Sequence, residues 1–334
     1  MPTPHVLVLT GDEDPHAARV TGLLTGRGAR VTVFDHRLYP AQAHVELAYT
    51  GRGLTRRLLH TGTGAGAGTV DLNELTALWW RRPTPPAAHP ELTDPAVAAY
   101  AAQESASLVS DLWEHLPCRK VPAAESVLQR ARRKSSQLII AAELGFTVPD
   151  TLITTQAREL WDFHDRHDGQ IVTKPFGRPW VENLRSGDTV SRFCEPVSPR
   201  DLAYADALRF CPVIVQRYVP KRLELRVTVV GGQIFAAEIH SQASNRSRLD
   251  WRRYNTDVTP HRVHRLPDEV GRRCLAMMDR LGLLYGAFDL ILTPEDEYVF
   301  MEINPNGQWL WIEDLTGLPI SRAVCDLLLE GPRA

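Results

Sequence analysis

Between Gly286 and Gly307 the chain reads Gly-Ala-Phe-Asp-Leu-Ile-Leu-Thr-Pro-Glu-Asp-Glu-Tyr-Val-Phe-Met-Glu-Ile-Asn-Pro-Asn-Gly. Two apolar-rich runs, 287–292 and 298–304, flank the turn residues Pro294-Glu-Asp-Glu297, so the segment is predicted to be a β-hairpin. Side chains alternate faces along a strand, which puts Glu302 and Asn304 on one face. A four-residue loop with Thr293 opposite Tyr298 sets Asp289 opposite Glu302. Asp289, Glu302 and Asn304 then converge, while Leu290, Leu292, Met301 and Ile303 fill the other side. Two carboxylates and an amide oxygen on one rigid face make a hard, all-oxygen site suited to Mg²⁺, which often binds through one or two carboxylates plus substrate phosphates. Taken by itself the pattern is also that of an ordinary amphipathic hairpin with acids on its outer face. The rest of the chain decides.

At 334 residues the chain exceeds one typical domain and is expected to hold two or three. A net charge of −2 argues against bulk electrostatic capture of nucleic acid or an anionic membrane. No apolar run approaches a membrane span, and Met1-Pro-Thr-Pro-His5 lacks the features of a signal peptide. Cys118, Cys194, Cys211, Cys274 and Cys325 are odd in number and never spaced as C-x-x-C. That makes a poor disulfide framework and a poor zinc site, and it fits the reducing cytoplasm. Of the 38 basic residues only four are lysine, Lys120, Lys134, Lys174 and Lys221. A lysine kept against such an arginine bias suits a task that needs a compact, mobile ammonium.

In order along the chain, 5–9 and 30–35 read as strands around a helix at 15–27, a β-α-β opening that predicts a small parallel-sheet domain. The first turn, Thr10-Gly-Asp-Glu-Asp-Pro15, lacks G-x-G-x-x-G, and its acids would repel phosphate. The glycine run at 62–68 has no Lys-Ser/Thr after it and reads as a hairpin tip between short strands. Leu78-Trp-Trp-Arg-Arg-Pro83 reads as a strand end with outward arginines, followed by a proline-rich loop and a helix at 97–116. A second helix is predicted over 125–144, closed by Gly145. Strands follow at 148–154, 170–175 and 211–217, with helices at 157–167 and 199–210 and an irregular stretch at 176–186. A hairpin turns at Gly231-Gly232, a polar arginine-rich loop spans 241–259, and helices at 268–281 and 319–329 flank the acidic hairpin.

Four features thus come in order: Lys134 on a helix, Lys174 at a strand end, the strand and Pro-containing extension Val213-Ile-Val-Gln-Arg-Tyr-Val-Pro220, and the acidic hairpin. The extension can offer backbone N–H and C=O groups to a planar base. Two ammonium groups, an open backbone edge and a magnesium site are what an ATP cradle needs without a Walker loop.

The segment from about residue 120 onward resembles the ATP-grasp fold. Within it the sequence is similar to the ATP-grasp maturases that macrocyclise ribosomal (RiPP) peptides, the graspetide or microviridin-type synthetases. The resemblance is carried by Arg133-Lys134, 144–151, Val172-Thr-Lys-Pro175, Gln216-Arg-Tyr-Val219, Glu224-Leu-Arg-Val-Thr-Val-Val-Gly231, Asp250-Trp-Arg252, Asp289 and Glu302-Ile-Asn304. Residues 1–120 resemble the family's pre-ATP-grasp domain. The implied fold class is α/β (α+β), with that parallel-sheet domain, a first ATP-grasp lobe over 121–212 and a C-terminal lobe with the magnesium site over 213–334.

The resemblance implies that Lys134 and Lys174 contact ATP phosphates, that Gln216, Arg217, Tyr218 and Val219 meet adenine through backbone groups, and that Glu224 holds the ribose. It implies Mg²⁺ at Asp289, Glu302 and Asn304, and it makes Arg226 the candidate to stabilise the transferring phosphoryl group, with Lys174 assisting. Arg246, Asp250, Trp251 and Arg252 are candidates for meeting an acidic core peptide. Two departures stand out. The loop after Lys174 has only two glycines, and position 287, two before the metal aspartate, is Ala where amino-acid ligases often carry arginine. The implied activity is ADP-forming ligation: an Asp or Glu side chain of a precursor peptide (leader plus core) becomes an acyl phosphate and forms an ω-ester or ω-amide crosslink. A homodimer is implied as well. Alternatives are an ATP-grasp ligase joining a free amino acid to a peptide or small carboxylate, and a non-catalytic nucleotide-binding scaffold protein.

Overall fold

β1 (His5–Thr10) is buried at every position. The computed structural model of the protein describes residues 3–11, 13–62, 68–177, 180–182, 189–243, 247–251 and 259–331. α1 (Pro15–Gly26) starts where Asp14 accepts from the amides of His16 and Ala17, with Pro15 in the first turn where no donor is missed. β2 (Arg30–Phe34) pairs parallel with β1. An antiparallel sheet of β3 (Ala43–Thr50), β4 (Gly53–Thr61) and β5 (Gly68–Asp71) follows, and then β6 (Ala77–Arg82), α2 (Pro95–Glu114) and β7 (Arg119–Val121). The main sheet runs β2-β1-β6-β7, all parallel. That is the predicted opening domain.

The helix expected over 125–144 is two helices, α3 (Glu125–Ala131) and α4 (Lys134–Glu143). Arg133 has extended backbone torsions and stands at the cap position of α4. The break is held by Gln137, whose buried Nε2 donates to the Ala131 carbonyl at 2.7 Å. Lys134 therefore opens a helix rather than lying mid-helix.

A second sheet, β12-β9-β13-β8, is antiparallel and comprises β8 (Thr151–Thr154), β9 (Ile171–Lys174), β12 (Glu195–Pro196) and β13 (Val213–Arg217). α5 (Ala157–Arg166) buries Leu160 and Phe163 against Ile171 and Val215 of this sheet. β10 (Trp180–Glu182), within the stretch read as irregular, pairs as a short ladder with β11 (Thr189–Ser191) just beyond it. α6 (Pro199–Ala203) ends early and continues as a 3₁₀ turn through Phe210.

The largest sheet, β16-β15-β14-β17-β18, carries the acidic hairpin. Its strands are β14 (Leu223–Val230), β15 (Gln233–Ile239), β16 (His261–His264), β17 (Tyr285–Leu292) and β18 (Tyr298–Asn304). β16 is an edge strand between the predicted loop at 241–259 and the predicted helix at 268–281, where the sequence reading has no element. α7 (Asp268–Leu281) covers one face, its Cys274, Met277 and Met278 joining Val227, Phe288 and Phe300. α8 (Leu310–Thr316), which the sequence reading lacked, and α9 (Ile320–Leu329) take the other face. α9 also packs on α1 through Val324 and Leu328 against Val20 and Leu24, so the last helix welds the first domain to the last sheet. Among the described residues no helix is long and apolar enough to cross a membrane.

Candidate active site

Leu292 pairs with Tyr298 and Leu290 with Phe300, but the register shifts between Asp289 and Leu290, so that Asp289 falls opposite Glu302. The connecting loop is one residue longer than the spacing predicts, and a β-bulge on β18 restores the facing of the two carboxylates. The bulge also moves Met301. Expected among the core residues, it packs with Val219, Ile291 and Val299 and lines the cleft beside Glu302. Thr293 holds the loop, its hydroxyl accepting from the amides of Glu295 and Glu297.

Each carboxylate meets a cation. Arg226 lies opposite Asp289 on β14, and its Nη1 donates to Asp289 Oδ1 at 2.8 Å. Lys134 Nζ donates to Glu302 Oε2 at 2.7 Å. The first pair is the more buried, with the Arg226 side chain 5% exposed against 21% for Lys134. Asp289 holds the Arg226 guanidinium above its ordinary pKa although burial opposes this. Arg226 Nη2 also donates to the Gln308 carbonyl, and the guanidinium lies 5.7 Å from the Trp251 ring centre. Ala287 and Gly307 leave room for it: a Cβ at Gly307 would lie 2.4 Å from Ala287 Cβ and 2.6 Å from Arg226 Nη2. Asn304, on the same strand as Glu302, is exposed, and its Oδ1 accepts from the Asn306 amide at 2.9 Å. Among the described residues no three His, Cys, Asp or Glu side chains converge as a metal cluster. The acidic donor set is Asp289 and Glu302, with the Asn304 amide oxygen as third.

Gln137 positions this end of the site. Besides capping α3, its Nε2 donates to the Ile303 carbonyl at 2.9 Å, and its Oε1 accepts from the Ile303 amide. The start of α4, and with it Lys134, is thereby pinned to the strand that bears Glu302. A single polar residue on an apolar helix face was its only trace in the sequence.

The hairpin forms one wall of a cleft holding about 700 Å³ of empty space. Lys174, Gln216, Arg217, Tyr218, Val219, Glu224, Asp289 and Glu302 line it, together with Asp250 and Trp251. Lys134, Arg226 and Asn304 are not on its wall, and the first two reach it through the carboxylates they hold. The backbone edge is less open than expected. The Arg217 amide donates to Asp150 O at 2.9 Å and the Tyr218 amide to Gln170 O at 2.8 Å. Among the described residues the Val219 amide has no partner. Gln216 Nε2 donates to Thr151 Oγ1, while its Oε1 is buried and unpartnered.

Glu224 does not pair with Arg226. Its partner is Lys221, which also donates to the Leu249 carbonyl at 2.8 Å. Burial pushes the Glu224 carboxyl up, and the Lys221 ammonium opposes that shift. Lysine scarcity singled out Lys221 without assigning it a task. Asp250, expected to meet substrate, is buried and accepts from the Cys194 amide at 3.0 Å, anchoring its loop beside β12. Trp251 packs against Trp311 of α8 with ring centres 4.8 Å apart. Arg246 and Arg252 lie outside the described residues.

The loop after β18 is tied to the first domain. Arg81, read as facing outward, is 2% exposed; it pairs with Asp14 at 3.0 Å and donates to the Asn306 carbonyl. Asn306 Nδ2 donates back to the Trp80 carbonyl, and His16 Nε2 accepts from the amides of Trp309 and Leu310. The partners of Arg81 are remote in sequence, which hides its burial from a local reading.

Residues 5–127 match the family model described as the MvdD pre-ATP grasp domain. No curated protein matches the chain. Among solved structures, macrocyclase MdnC of Microcystis aeruginosa MRC, bound to precursor peptide MdnA, is 26% identical, with TM-score 0.85 over 98% of this chain and 100% of that one. A RiPP-associated ATP-grasp ligase of Chryseobacterium gregarium, in complex with ADP and a leader and core peptide, is 27% identical, with TM-score 0.87 over 98% and 96%. Macrocyclase MdnB of the same Microcystis strain is 29% identical, with TM-score 0.79 over 98% and 100%. The chain thus carries an MvdD-type pre-ATP-grasp domain over 5–127 and shares, over almost its whole length, the architecture of the RiPP-associated ATP-grasp macrocyclases and ligases.

Proposed function

We propose that the protein is an ATP-dependent ligase that crosslinks a ribosomal precursor peptide. One observation carries this reading: a single cleft gathers Lys174, the 216–219 extension, Glu224 and the Asp289–Glu302 pair, with Arg226 directly behind Asp289. That set has a place for the base, the phosphates and a hard cation.

The residues fit ATP and magnesium. The unpartnered Val219 amide is available to the adenine edge, and Glu224, held by Lys221, to the ribose hydroxyls. Lys174 and Lys134 supply ammonium groups to the phosphates. Asp289, Glu302 and Asn304 would hold magnesium, which neutralises charge on the β- and γ-phosphates when bound. Lys134, bonded to Glu302 Oε2, is the counter-ion of that carboxylate.

In the reaction a peptide carboxylate oxygen attacks the γ-phosphorus, the bond to the β-phosphate oxygen breaks, and ADP leaves. A Ser or Thr hydroxyl or a Lys amine of the same peptide then attacks the acyl carbon, loses its proton and expels phosphate. The net products are ADP, phosphate and one ω-ester or ω-amide bond. Arg226, behind Asp289 and off the cleft wall, adds a fixed positive charge at the end of the site where the phosphoryl group is transferred. Catalysis is positioning and charge neutralisation.

The test incubates purified protein, ATP and Mg²⁺ with a candidate precursor, a short Thr/Ser- and Asp/Glu-rich peptide sought among the reading frames beside its gene. The expected result is loss of one water per crosslink from the peptide mass, with stoichiometric ADP. AMP formation, or turnover unchanged in Glu302→Gln, sinks the mechanism.

A further inference from the structure

Four arginines are buried among the described residues: Arg57, Arg81, Arg119 and Arg226. Three have partners. Arg81 holds Asp14, Arg119 holds the carbonyls of Glu330 and Gly331, and Arg226 holds Asp289. Arg57 is 8% exposed, and among the described residues its guanidinium has no hydrogen bond or ion pair. Its nitrogens are not among the fully buried unpartnered atoms, so the stem is covered while the guanidinium reaches the solvent of an open cavity.

Arg57 lies on β4, opposite Leu47 of β3, on the face turned toward the end of α2. It lines a cavity holding about 550 Å³ of empty space, open at its mouth, together with Leu47, Tyr49, Asp111, Leu112 and His115. Asp111 is the one acid on this wall, and it is engaged by His115, whose Nδ1 lies 3.4 Å from its carboxylate, rather than by Arg57. Tyr49 is 65% exposed, so the mouth has an apolar lip open to solvent.

We infer that this cavity is a carboxylate-binding site, with Arg57 as its cation. A guanidinium fork matches a carboxylate in two parallel hydrogen bonds. The leucines and the tyrosine suit a short methylene stem behind the charge, such as that of an Asp or Glu side chain. A phosphate dianion suits the cavity less well, because Asp111 repels a second negative charge more strongly. The carboxylate arrives either on a free small acid or on a peptide side chain.

The test compares the full-length protein with Arg57→Met and Arg57→Lys. Among the described residues Arg57 has no partner to lose, so the melting temperature of Arg57→Met should stay within a few degrees of the parent's. N-acetylglutamate raises the melting temperature of the parent, raises that of Arg57→Lys less, and leaves Arg57→Met unmoved. In a second arm, the labelled precursor peptide binds Arg57→Met about tenfold or more weaker, the size of a charged hydrogen bond. Changing one peptide Glu or Asp to its amide costs the parent the same factor, and the two changes together cost no more. A response to N-acetylglutamate alone assigns the site to a free acid, and coupling to the peptide alone assigns it to substrate. If neither probe separates Arg57→Met from the parent, the cavity binds no carboxylate through Arg57 and the inference is overturned. The peptide arm rests on the ligase reading. A peptide that couples to Arg57 without being crosslinked sinks that reading and leaves the site standing.

Discussion

Arg226 and Asp289 face each other across β14 and β17, guanidinium nitrogen to carboxylate oxygen at 2.8 Å. The backbone register, not a flexible loop, sets this distance, and the guanidinium sits in an almost dry pocket. A lysine at 226 keeps the charge but loses the planar fork. Arg226→Lys is expected to lower turnover by about 10²–10³, the cost of one preorganised charge-stabilising donor. The KM for ATP should change little, because Arg226 is off the cleft wall. Steady-state ADP release measures both, and turnover within a few-fold of the parent removes Arg226 from the chemistry.

Gly307 tests the same pocket from the other side. A methyl group there meets Ala287 Cβ at 2.4 Å and Arg226 Nη2 at 2.6 Å, and neither Ala287 nor the paired guanidinium can swing clear. Gly307→Ala should destabilise the protein by about 1–3 kcal/mol, as overpacking does. It should also lower turnover by displacing Arg226. Adding Arg226→Lys to it should cost less than the two losses combined, since both act on one group. Full additivity in turnover would mean that Gly307 acts elsewhere.

The chain showed much of this site locally and hid the rest for identifiable reasons. Asp289 and Glu302 were legible because strand alternation and a short loop bring them together within fourteen positions of chain. The bulge was not legible, because a one-residue shift leaves the apolar pattern of β18 nearly unchanged, and so Met301 was assigned to the wrong face. The break between α3 and α4 carries neither Gly nor Pro. It is imposed by Gln137, which bonds Ala131 on one side and Ile303, 166 residues away, on the other. The burial of Arg81 and the anchoring role of Asp250 likewise depend on partners far along the chain. β16 escaped detection because three of its four residues, His261-Arg-Val-His264, are polar and the strand lies on a sheet edge.

Glu302 separates catalysis from stability. Its bond to Lys134 joins two side chains about one-fifth exposed, a geometry worth roughly 1 kcal/mol or less in solvent-accessible pairs. Glu302→Gln keeps the shape and removes the charge. The melting temperature is expected to hold within a few degrees, by that magnitude. Turnover should fall by about 10² or more, and the Mg²⁺ concentration for half-maximal activity should rise, as expected for a lost hard anionic ligand. Titrating Mg²⁺ at saturating ATP checks both. A loss of turnover with unchanged Mg²⁺ dependence would take Glu302 out of the ligand set.

Acid sensitivity should originate in the first domain. His36 is buried, accepts a hydrogen bond from Trp113 Nε1 at 2.9 Å, and is held down to about 4 by desolvation. His5 is lowered to about 4 by burial, with Arg30 adding to the effect. His16 is lowered chiefly by burial, and its Nε2 must stay unprotonated to accept from Trp309 and Leu310. Above the ordinary histidine value of about 6.5 both folded and unfolded chains carry these rings neutral, and the stability is complete. Below it the unfolded chain takes up protons that the folded chain refuses. Stability then falls by about 1.4 kcal/mol per pH unit for a ring such as His36, until the folded value is passed. Urea midpoints should therefore drop clearly between about pH 7 and about pH 5, whereas a carboxylate-driven loss would begin only nearer pH 4. In His36→Gln the amide oxygen can still accept from Trp113 while the titrating group is gone, so the dependence should be shallower by one proton. An identical slope in the variant would assign the acid sensitivity to other groups.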